Sequence, residues 1–314
     1  MSFKLGISSC LLGEKVRYDG GHKLNHYLAD ILGKFVEWVP VCPEAECGLS
    51  IPREAMRLVG DPQSPRLMTV RTKKDITAQM QGWMDVRLKE LEKEDLCGFI
   101  FKKGSPSSGY SGVKIYTESG NPSERGMGMF AKAFTQHFPL LPVEDEGRLN
   151  DADLRENFIE RIFVYHRWKM FELQDRSAKG LVQFHTEHKL LIMAHSPKTL
   201  TELGRLVAQV KGRVSQQTMF EYITKLMNAL VLIATVKKNT NVLQHIMGYF
   251  KKQLSSDEKL EMNECIKNYH DGYTPLLVPL TLINHYVRKY NEQYLLQQIY
   301  LSPHPHELML RNHV

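Results

Sequence analysis

Three cysteines lie at or shortly after the ends of strand-like apolar runs. Cys10 is near the end of the run 4–12, Cys42 follows the run 36–41, and Cys47 comes five residues later in the string CPEAECGL. Thiolates held on loops at one sheet edge can bind iron or zinc, although the sequence lacks the compact CxxC pairs of zinc ribbons. The alternative is that Cys10 and Cys42 are small buried apolar residues at strand ends. Spacing alone leaves both interpretations open.

Carboxylates and hydroxyls accompany these cysteines. Glu44 and Glu46 flank the Cys42 loop, and either carboxylate can activate water and move protons as a general acid or base. We place Glu46 slightly ahead of Glu44 for that role; the alternative for each is an exposed loop acid or a helix-cap partner. Ser105 follows the apolar run 96–101 and either bonds a substrate or cofactor or simply forms a Ser-Pro turn.

A polar segment also follows the first cysteine loop. Arg17, Tyr18 and Asp19 precede the paired glycines Gly20 and Gly21, which let the backbone approach a ligand closely. These three side chains therefore either contact a bound ligand or support the loop.

The elements that must position these residues alternate along the first half of the chain. Strand-like runs and helical patterns follow each other, which is typical of a Rossmann-like α/β domain with a mostly parallel sheet. The predicted strands cover residues 4–12, 36–41 and 96–101, and the predicted helices cover 24–32, 75–91 and 124–137. Since ligands bind beyond the carboxyl ends of parallel strands, we expect the polar loops to meet at one sheet edge.

The pattern changes after residues 138–153, a stretch with two prolines, a glycine and an acidic cluster that is typical of a linker. Beyond it, apolar residues recur every three or four positions, which predicts an all-helical domain of about six or seven helices. The expected helices cover residues 158–171, 181–193, 200–210, 219–237, 242–254, 258–269 and 278–300. We therefore expect two domains, 1–145 and 146–314.

The positive charge is concentrated in the second half. Residues 1–154 hold 20 Lys and Arg against 21 Asp and Glu, whereas residues 155–314 hold 21 against 14. Aromatic residues are interspersed with the basic ones at 165–169, 249–252 and 285–290. Lys and Arg bind phosphates and aromatic faces stack on exposed bases, so the pattern fits a domain that binds a polyanion such as RNA; the alternative is an ordinary helical bundle with solvated basic faces.

Composition also excludes some classes of protein. No apolar run approaches the ~20 residues that span a bilayer, and the string MSFKLGISSCLL lacks a separate apolar segment with a cleavage site. We therefore expect a cytoplasmic protein without membrane association, and the sequence predicts no protein partner. Five cysteines are too few and odd in number for a disulfide scaffold, so they are free thiols or metal ligands.

Three strings carry a resemblance to a known family. SSCLLGEKVRYDGGHK (residues 8–23), VCPEAECGLSIPRE (41–54) and FKKGSPSSG (101–109) resemble the three signature segments of the thiouracil desulfidase family, in the same order. The second half is similar to the helical domain often fused behind it, through FHTEHKLLIMAHS (184–196), HIMGYFKKQLS (245–255) and PLLVPLTLINHYVRKY (275–290). This two-domain form resembles the bacterial tRNA 4-thiouridine desulfidases.

The resemblance implies a cofactor and a reaction. It implies a 4Fe-4S cluster held by three cysteines, with the fourth iron open as a Lewis acid for the sulfur of a thiolated base. Water would attack the carbon of the C–S bond, so that 4-thiouridine in tRNA becomes uridine and sulfide is the product, without net electron transfer. By the same resemblance Ser9 and Ser107, in the loops of the first and third segments, join Arg17, Tyr18 and Asp19 as candidate substrate-binding residues.

The third segment departs from the family pattern. Cys10 and Cys42 match two ligand positions, but the third, a cysteine in the family, is Ser108 here. A neutral hydroxyl is a poor iron ligand compared with a thiolate. The chain is therefore a Cys-to-Ser variant, a natural homologue that recruits Cys47 as a substitute, or a protein that has lost the cluster and kept only binding.

Three functions compete at this point. The first is desulfuration of thiolated uridine within tRNA, and the second is desulfuration of free thiouracil or thiouridine, which would leave the basic domain without a clear task. The third is a non-catalytic RNA-binding protein with a lost cluster site, made plausible by Ser108.

Overall fold

Two units divide the chain, Met1–Asp151 and Ala152–Val314. The structure is a computed structural model that describes residues 2–313. The first unit contains strands β1 (Phe3–Ser8), β2 (Val36–Val41), β3 (Met56–Val59), β4 (Arg66–Thr69), β5 (Phe99–Phe101), β6 (Val113–Tyr116), β7 (Pro122–Gly126) and β8 (Val143–Asp145), and helices α1 (Pro43–Glu46), α2 (Thr77–Lys93) and α3 (Met129–His137). Over its described residues, 152–313, the second unit consists of helices and short 3-10 turns, with one isolated antiparallel bridge between Ser177 and Arg213. The expected α/β and all-helical classes are both confirmed.

The main sheet has the order β2-β1-β5-β8 and all its neighbouring strands are parallel. Its carboxyl ends are followed by the Cys10 loop, by Cys42 and α1, and by the loop that begins at Lys102. Parallel strands place these loops at one edge, as the sequence pattern predicts.

A second sheet, with the order β4-β3-β6-β7, was not expected from the sequence. The predicted helix over 124–137 is wrong at its beginning, because Pro122–Gly126 pairs antiparallel with Val113–Tyr116 and the helix begins at Met129. The predicted helix over 24–32 is also wrong. It is a single π-helical turn at Tyr27–Ile31 followed by a 3-10 turn. The Asn25 side chain accepts a bond from the Leu28 N–H, so the helical turn begins after Asn25.

Aromatic packing holds β5 in place, and β5 leads into the third polar loop, the loop that begins at Lys102. The rings of Phe99 and Phe101 lie 4.4 Å apart, and Phe134 of α3 lies 4.7 Å from Phe99. Each of these rings is almost completely buried, which stabilises the fold by about 1.5–3 kcal/mol per side chain. Gly6 makes room for them, since a Cβ there would lie 2.1 Å from the Phe99 ring.

The second unit consists of α4 (Ala152–Gln174), α5 (Ala178–His195), α6 (Pro197–Gln209), α7 (Gln216–Leu230), α8 (Val236–Met247), α9 (Ser256–His270), α10 (Leu277–Lys289) and α11 (Gln293–Leu296). Side-chain N-caps begin five of these helices, with Ser177, Ser196, Ser215, Thr235 and Ser255 each accepting a bond from a backbone N–H three residues later. Such caps each contribute about 1 kcal/mol. The predicted helix over 278–300 is instead interrupted after Lys289, where Asn291 adopts a left-handed conformation.

A buried ionic network joins the end of the second unit to α4. Arg311 Nη2 lies 2.6 Å from Glu160 Oε1, and its backbone N–H donates to Glu156 Oε2 at 2.9 Å. His195 Nε2 lies 3.2 Å from Glu160 Oε2, the second oxygen of the same carboxylate. Burial favours the neutral acid, but the charge of Arg311 and the hydrogen bond from His195 prevail and hold the pKa of Glu160 well below its usual range. Among residues 2–313, no helix has both the length and the apolar character needed to cross a bilayer.

Candidate active site

The loops after β1, β2 and β5 enclose a pocket of about 380 Å³. The side chains that line it come from the Cys10, Cys42 and 102–108 loops and from a segment before β3: Ser8, Ser9, Cys10, Val16, Arg17, Tyr18, Val41, Cys42, Pro43, Glu44, Arg53, Ala55, Met56, Lys102, Lys103, Gly104, Ser105, Pro106 and Ser108. The structure therefore brings together the three segments that the sequence singled out.

Two cysteine side chains lie in the wall of this pocket. Cys10 and Cys42 are 7% and 8% exposed. Burial raises the pKa of Cys10 to about 11; burial and then the charge of Glu44 raise that of Cys42 to about 12. Thiols in such surroundings become thiolates only when a cation accompanies them, as a metal centre does.

Glu44 is the carboxylate at the centre of the site. Its Oε1 accepts hydrogen bonds from the hydroxyls of Ser105 at 3.1 Å and Ser107 at 2.6 Å, and its Oε2 lies 3.6 Å from Cys42 Sγ. Arg53 Nη2 lies 3.6 Å from the same Oε2, with both side chains mostly buried. The arrangement gives the carboxylate a fixed direction within the pocket.

Glu46, the carboxylate favoured from the sequence, has a different position. It lies outside the pocket lining, accepts a bond from the backbone N–H of Cys42 at 2.8 Å and has Arg87 at 3.0 Å. Burial raises the pKa of Glu46, against the effect of these two partners. A side chain that caps the first turn of α1 orients Cys42, so the geometry favours Glu44 over Glu46 for proton transfer.

The remaining predicted residues divide between pocket and support. Ser9, Arg17 and Tyr18 line the pocket. Asp19 does not: it accepts bonds from the backbone N–H of Gly21 at 3.0 Å and from Arg17 Nε at 3.3 Å, which shapes the loop. These contacts favour the supporting role for Asp19 among the two that the sequence left open.

Ser107 and Ser108 occupy the turn of the third loop. Ser107 is fully buried and bonds Glu44, and Ser108, 3% exposed, lines the pocket with its Oγ 3.3 Å from Ser107 Oγ. The backbone N–H of Ser108 donates to Ser105 Oγ at 3.1 Å. Position 108 is therefore where a third ligand beside Cys10 and Cys42 would lie.

Cys47 lies outside the pocket lining. Its thiol donates to the backbone carbonyl of Glu44 at 3.3 Å, and Gln79 Nε2 donates to the Cys47 carbonyl at 2.7 Å. A role as substitute ligand would require α1 to rearrange. Within residues 2–313, no three His, Cys, Asp or Glu side chains gather in a way that could hold a metal ion.

The sequence reasoning missed three cationic residues of this site. Arg53, Lys102 and Lys103 line the pocket, and Arg53 Nη1 also donates to the carbonyl of Val16 at 2.9 Å. Arg53 lies in the second signature string, residues 41–54, and its place in that string is the one feature of the sequence that marks it as a site residue.

Comparisons with known proteins find similarities in both halves of the chain. Residues 5–146 match the family described as 2-thiouracil desulfurase, and residues 189–305 match a protein family of unknown function, DUF1722. The uncharacterized protein YbgA of Escherichia coli (strain K12) is 30% identical over 156 residues, which cover 48% of this chain and 90% of that protein. The solved structure of a [4Fe-4S]-dependent thiouracil desulfidase, TudS, is 28% identical, with 48% of this chain and 94% of that chain covered and a TM-score of 0.39.

Fold and site together define a thiouracil desulfidase-like α/β unit joined to a helical unit. The chain belongs to the family of two-domain, thiouracil desulfidase-like proteins whose helical half is YbgA-like. The family resemblance noted in the sequence is confirmed.

Proposed function

We propose that this chain removes sulfur from 4-thiouridine in tRNA and releases uridine and sulfide. One observation carries the proposal: the carboxylate of Glu44, directed by the Ser105 and Ser107 hydroxyls, shares a pocket with the Cys10 and Cys42 side chains. Such a site supplies thiolate ligands and a proton-transfer group beside each other, which hydrolysis of a carbon–sulfur bond needs.

A 4Fe-4S cluster would be held by Cys10 and Cys42, with position 108 as the third ligand. The donor set fits a cluster at two positions, and at the third Ser108 offers a hydroxyl where iron prefers a thiolate, so we expect weak retention. When bound, a cluster with an open iron supplies a Lewis acid that has affinity for a thiocarbonyl sulfur.

The protein's own groups carry the protons. Glu44 takes a proton from the water that attacks the thiocarbonyl carbon, and a proton returns to the departing sulfur. The carbon–sulfur bond breaks as the new carbon–oxygen double bond forms, and water and thiocarbonyl become carbonyl and hydrogen sulfide without any gain or loss of electrons. Arg53 stays beside Glu44 and stabilises its charge in the buried pocket.

The excess positive charge of the helical half supports RNA as the substrate. Two of the three basic-aromatic clusters are partly used within the helical unit. In the cluster 165–169, Trp168 is a core residue. In the cluster 285–290, Tyr286 is a core residue and Lys289 Nζ lies 2.7 Å from Glu258 Oε1. Lys251 and Lys252 are exposed next to Tyr249. That last cluster is therefore the better candidate for contact with phosphates and an exposed base.

The experiment compares this chain with its Ser108→Cys variant after anaerobic reconstitution, measuring iron, acid-labile sulfide and turnover of thiolated tRNA. We expect about four irons and desulfuration in the Ser108→Cys protein, and reduced values in the present chain. If neither protein binds iron, the desulfidase proposal fails. Binding of thiolated tRNA by both proteins without iron would instead favour the second candidate, a non-catalytic RNA-binding protein, for which the buried hydroxyl at position 108 is the supporting observation.

Turnover of a free base separates tRNA from small substrates. Desulfuration of free 4-thiouracil at a rate equal to that of thiolated tRNA, with no salt dependence for either, would contradict the RNA part of the proposal.

A further inference from the structure

The turn between β4 and α2, residues 70–74, carries three exposed cations. Arg71, Lys73 and Lys74 lie within five residues of each other, and all three are exposed. In the part of the chain that the structure describes, none of them forms an ion pair with a carboxylate. Glu54 is the carboxylate nearest to Arg71 and offsets one of these three charges in part, so the turn keeps a net positive charge and an anionic partner would bind it favourably.

Glu54 holds this turn in place. Its Oε1 accepts bonds from the backbone N–H groups of Arg71 and of Thr72, the latter at 2.8 Å, and its Oε2 accepts from the Thr72 hydroxyl at 2.7 Å. The Val70 N–H donates to the Ala55 carbonyl at 2.9 Å. These bonds fix the backbone of the turn and the Thr72 side chain. They do not involve the side chains of Arg71, Lys73 and Lys74.

The turn is attached to the wall of the active-site pocket. Glu54 stands between Arg53 and Ala55, both of which line the pocket. The next pocket residue, Met56, pairs with Thr69 immediately before the turn. The turn is therefore at the end of the β3–β4 pair that belongs to the pocket.

The local charge differs from the charge of the unit that carries it. Residues 1–154 are almost neutral, with 20 basic and 21 acidic residues, and many of the basic ones are paired, as Lys4, Arg66 and Arg87 are. Lys103, which lines the pocket itself, adds further positive charge at the site. A general need for solubility does not explain why unpaired cations gather beside one pocket.

We propose that the 70–74 turn binds the backbone phosphates of the RNA strand next to the thiolated nucleotide that enters the pocket. The inference rests on the proposed function, because it takes tRNA as the substrate, and it adds a contact surface on the α/β unit. Lys and Arg contacts to phosphate position a strand without reading its sequence. A free base has no phosphates to make these contacts.

The test uses the full-length protein with Arg71→Gln, Lys73→Gln and Lys74→Gln combined. Its matched control combines Lys34→Gln, Lys89→Gln and Lys93→Gln, which removes three exposed charges elsewhere on the same unit. Binding of fluorescent, thiolated tRNA is measured by anisotropy between 50 and 200 mM salt, and the Tm of each protein is recorded.

We expect the turn variant to bind tRNA at least about tenfold more weakly at low salt and to lose about two units of the slope of log Kd against log salt, since each lost phosphate contact removes about 0.7–0.9. The control variant should lose less than half as much of the slope of log Kd against log salt. Equal behaviour of the two variants, with equal Tm, overturns the role of the turn while the unaltered chain still binds tRNA with a steep salt dependence. If the unaltered chain shows no salt-dependent binding, RNA fails as the substrate and the turn proposal fails with it.

Discussion

The Ser107 hydroxyl donates to Glu44 across 2.6 Å, from one polar loop of the active site to another. Ser107 follows β5 and Glu44 follows β2, and β1 lies between these strands in the sheet. A serine next to position 108 therefore sets the direction of a carboxylate that follows the Cys42 ligand position. In the proposed site, the third signature string would therefore have two roles: it would supply a ligand position and it would orient the acid.

Replacing Glu44 should remove proton transfer. In the Ser108→Cys background, we expect Glu44→Gln to lower kcat by about 10²–10⁴-fold, because Gln keeps the hydrogen bonds from the serines but takes up no proton. Single-turnover desulfuration at saturating thiolated tRNA measures this.

Glu46→Gln is the matched control, since its carboxylate caps α1 and has Arg87 as partner. We expect it to lower kcat much less than Glu44→Gln. A larger loss in the Glu46 variant, at equal iron content, would assign the acid–base role to Glu46.

Cysteine replacements should separate ligands from bystanders. In the Ser108→Cys background, Cys10→Ser and Cys42→Ser should each reduce bound iron strongly, because both thiols line the pocket. Cys47→Ser should leave iron and acid-labile sulfide unchanged, since that thiol bonds a backbone carbonyl outside the pocket lining. Loss of iron in the Cys47 variant would show that α1 rearranges to bring this thiol to the cluster.

Much of this arrangement follows from the sequence. Cys10 and Cys42 could be placed together because parallel strands end at a common edge, and strand-like runs preceded both. The choice between Glu44 and Glu46 could not be made, because it depends on which carboxylate finds Cys42 N–H and Arg87, and Arg87 is some forty residues away on α2. Strands β3, β4, β6 and β7 are short and mostly polar on one face, so their pairing depends on tertiary contacts that periodicity does not contain.

Breaking the buried ionic network should destabilise the helical unit. Arg311→Met leaves the carboxylates of Glu160 and Glu156 without their main positive partner, in a site where Glu160 is only 3% exposed. We expect a loss of about 3–5 kcal/mol in the free energy of unfolding, measured with urea. Lys198→Met removes an exposed ion pair at 4.0 Å and should change nothing measurable. A loss below 1 kcal/mol in the Arg311 variant would contradict the network's importance.

Buried histidines should make the helical unit sensitive to mild acid. Burial lowers the pKa of His188 to about 3 from an ordinary value of 6.5, and its Nδ1 donates to the Phe184 carbonyl at 2.7 Å. A lowered folded-state pKa contributes stability that is complete above pH 6.5 and is lost as the pH falls toward 3, because the unfolded chain takes up the proton first. Between pH 7 and pH 5 this loss is about 2 kcal/mol.

The His188→Gln variant tests this. The free energy of unfolding is measured with urea at pH 7 and at pH 5. Its decrease from pH 7 to pH 5 should be smaller in the variant than in the unaltered chain, by about 2 kcal/mol. An unchanged difference would mean that His188 contributes nothing to the acid sensitivity.

The link between Arg311 and Glu160 spans 151 positions of sequence, and this has a consequence for biosynthesis. A ribosome that adds about 5–20 residues per second needs roughly 8–30 s to move from one residue to the other. During that interval Glu160 on α4 has His195 as a partner but lacks the guanidinium group that pairs with it in the buried network. The nascent helical half therefore completes this buried network only after residue 311 has been synthesised, and until then the unpaired charge disfavours burial of that part of α4.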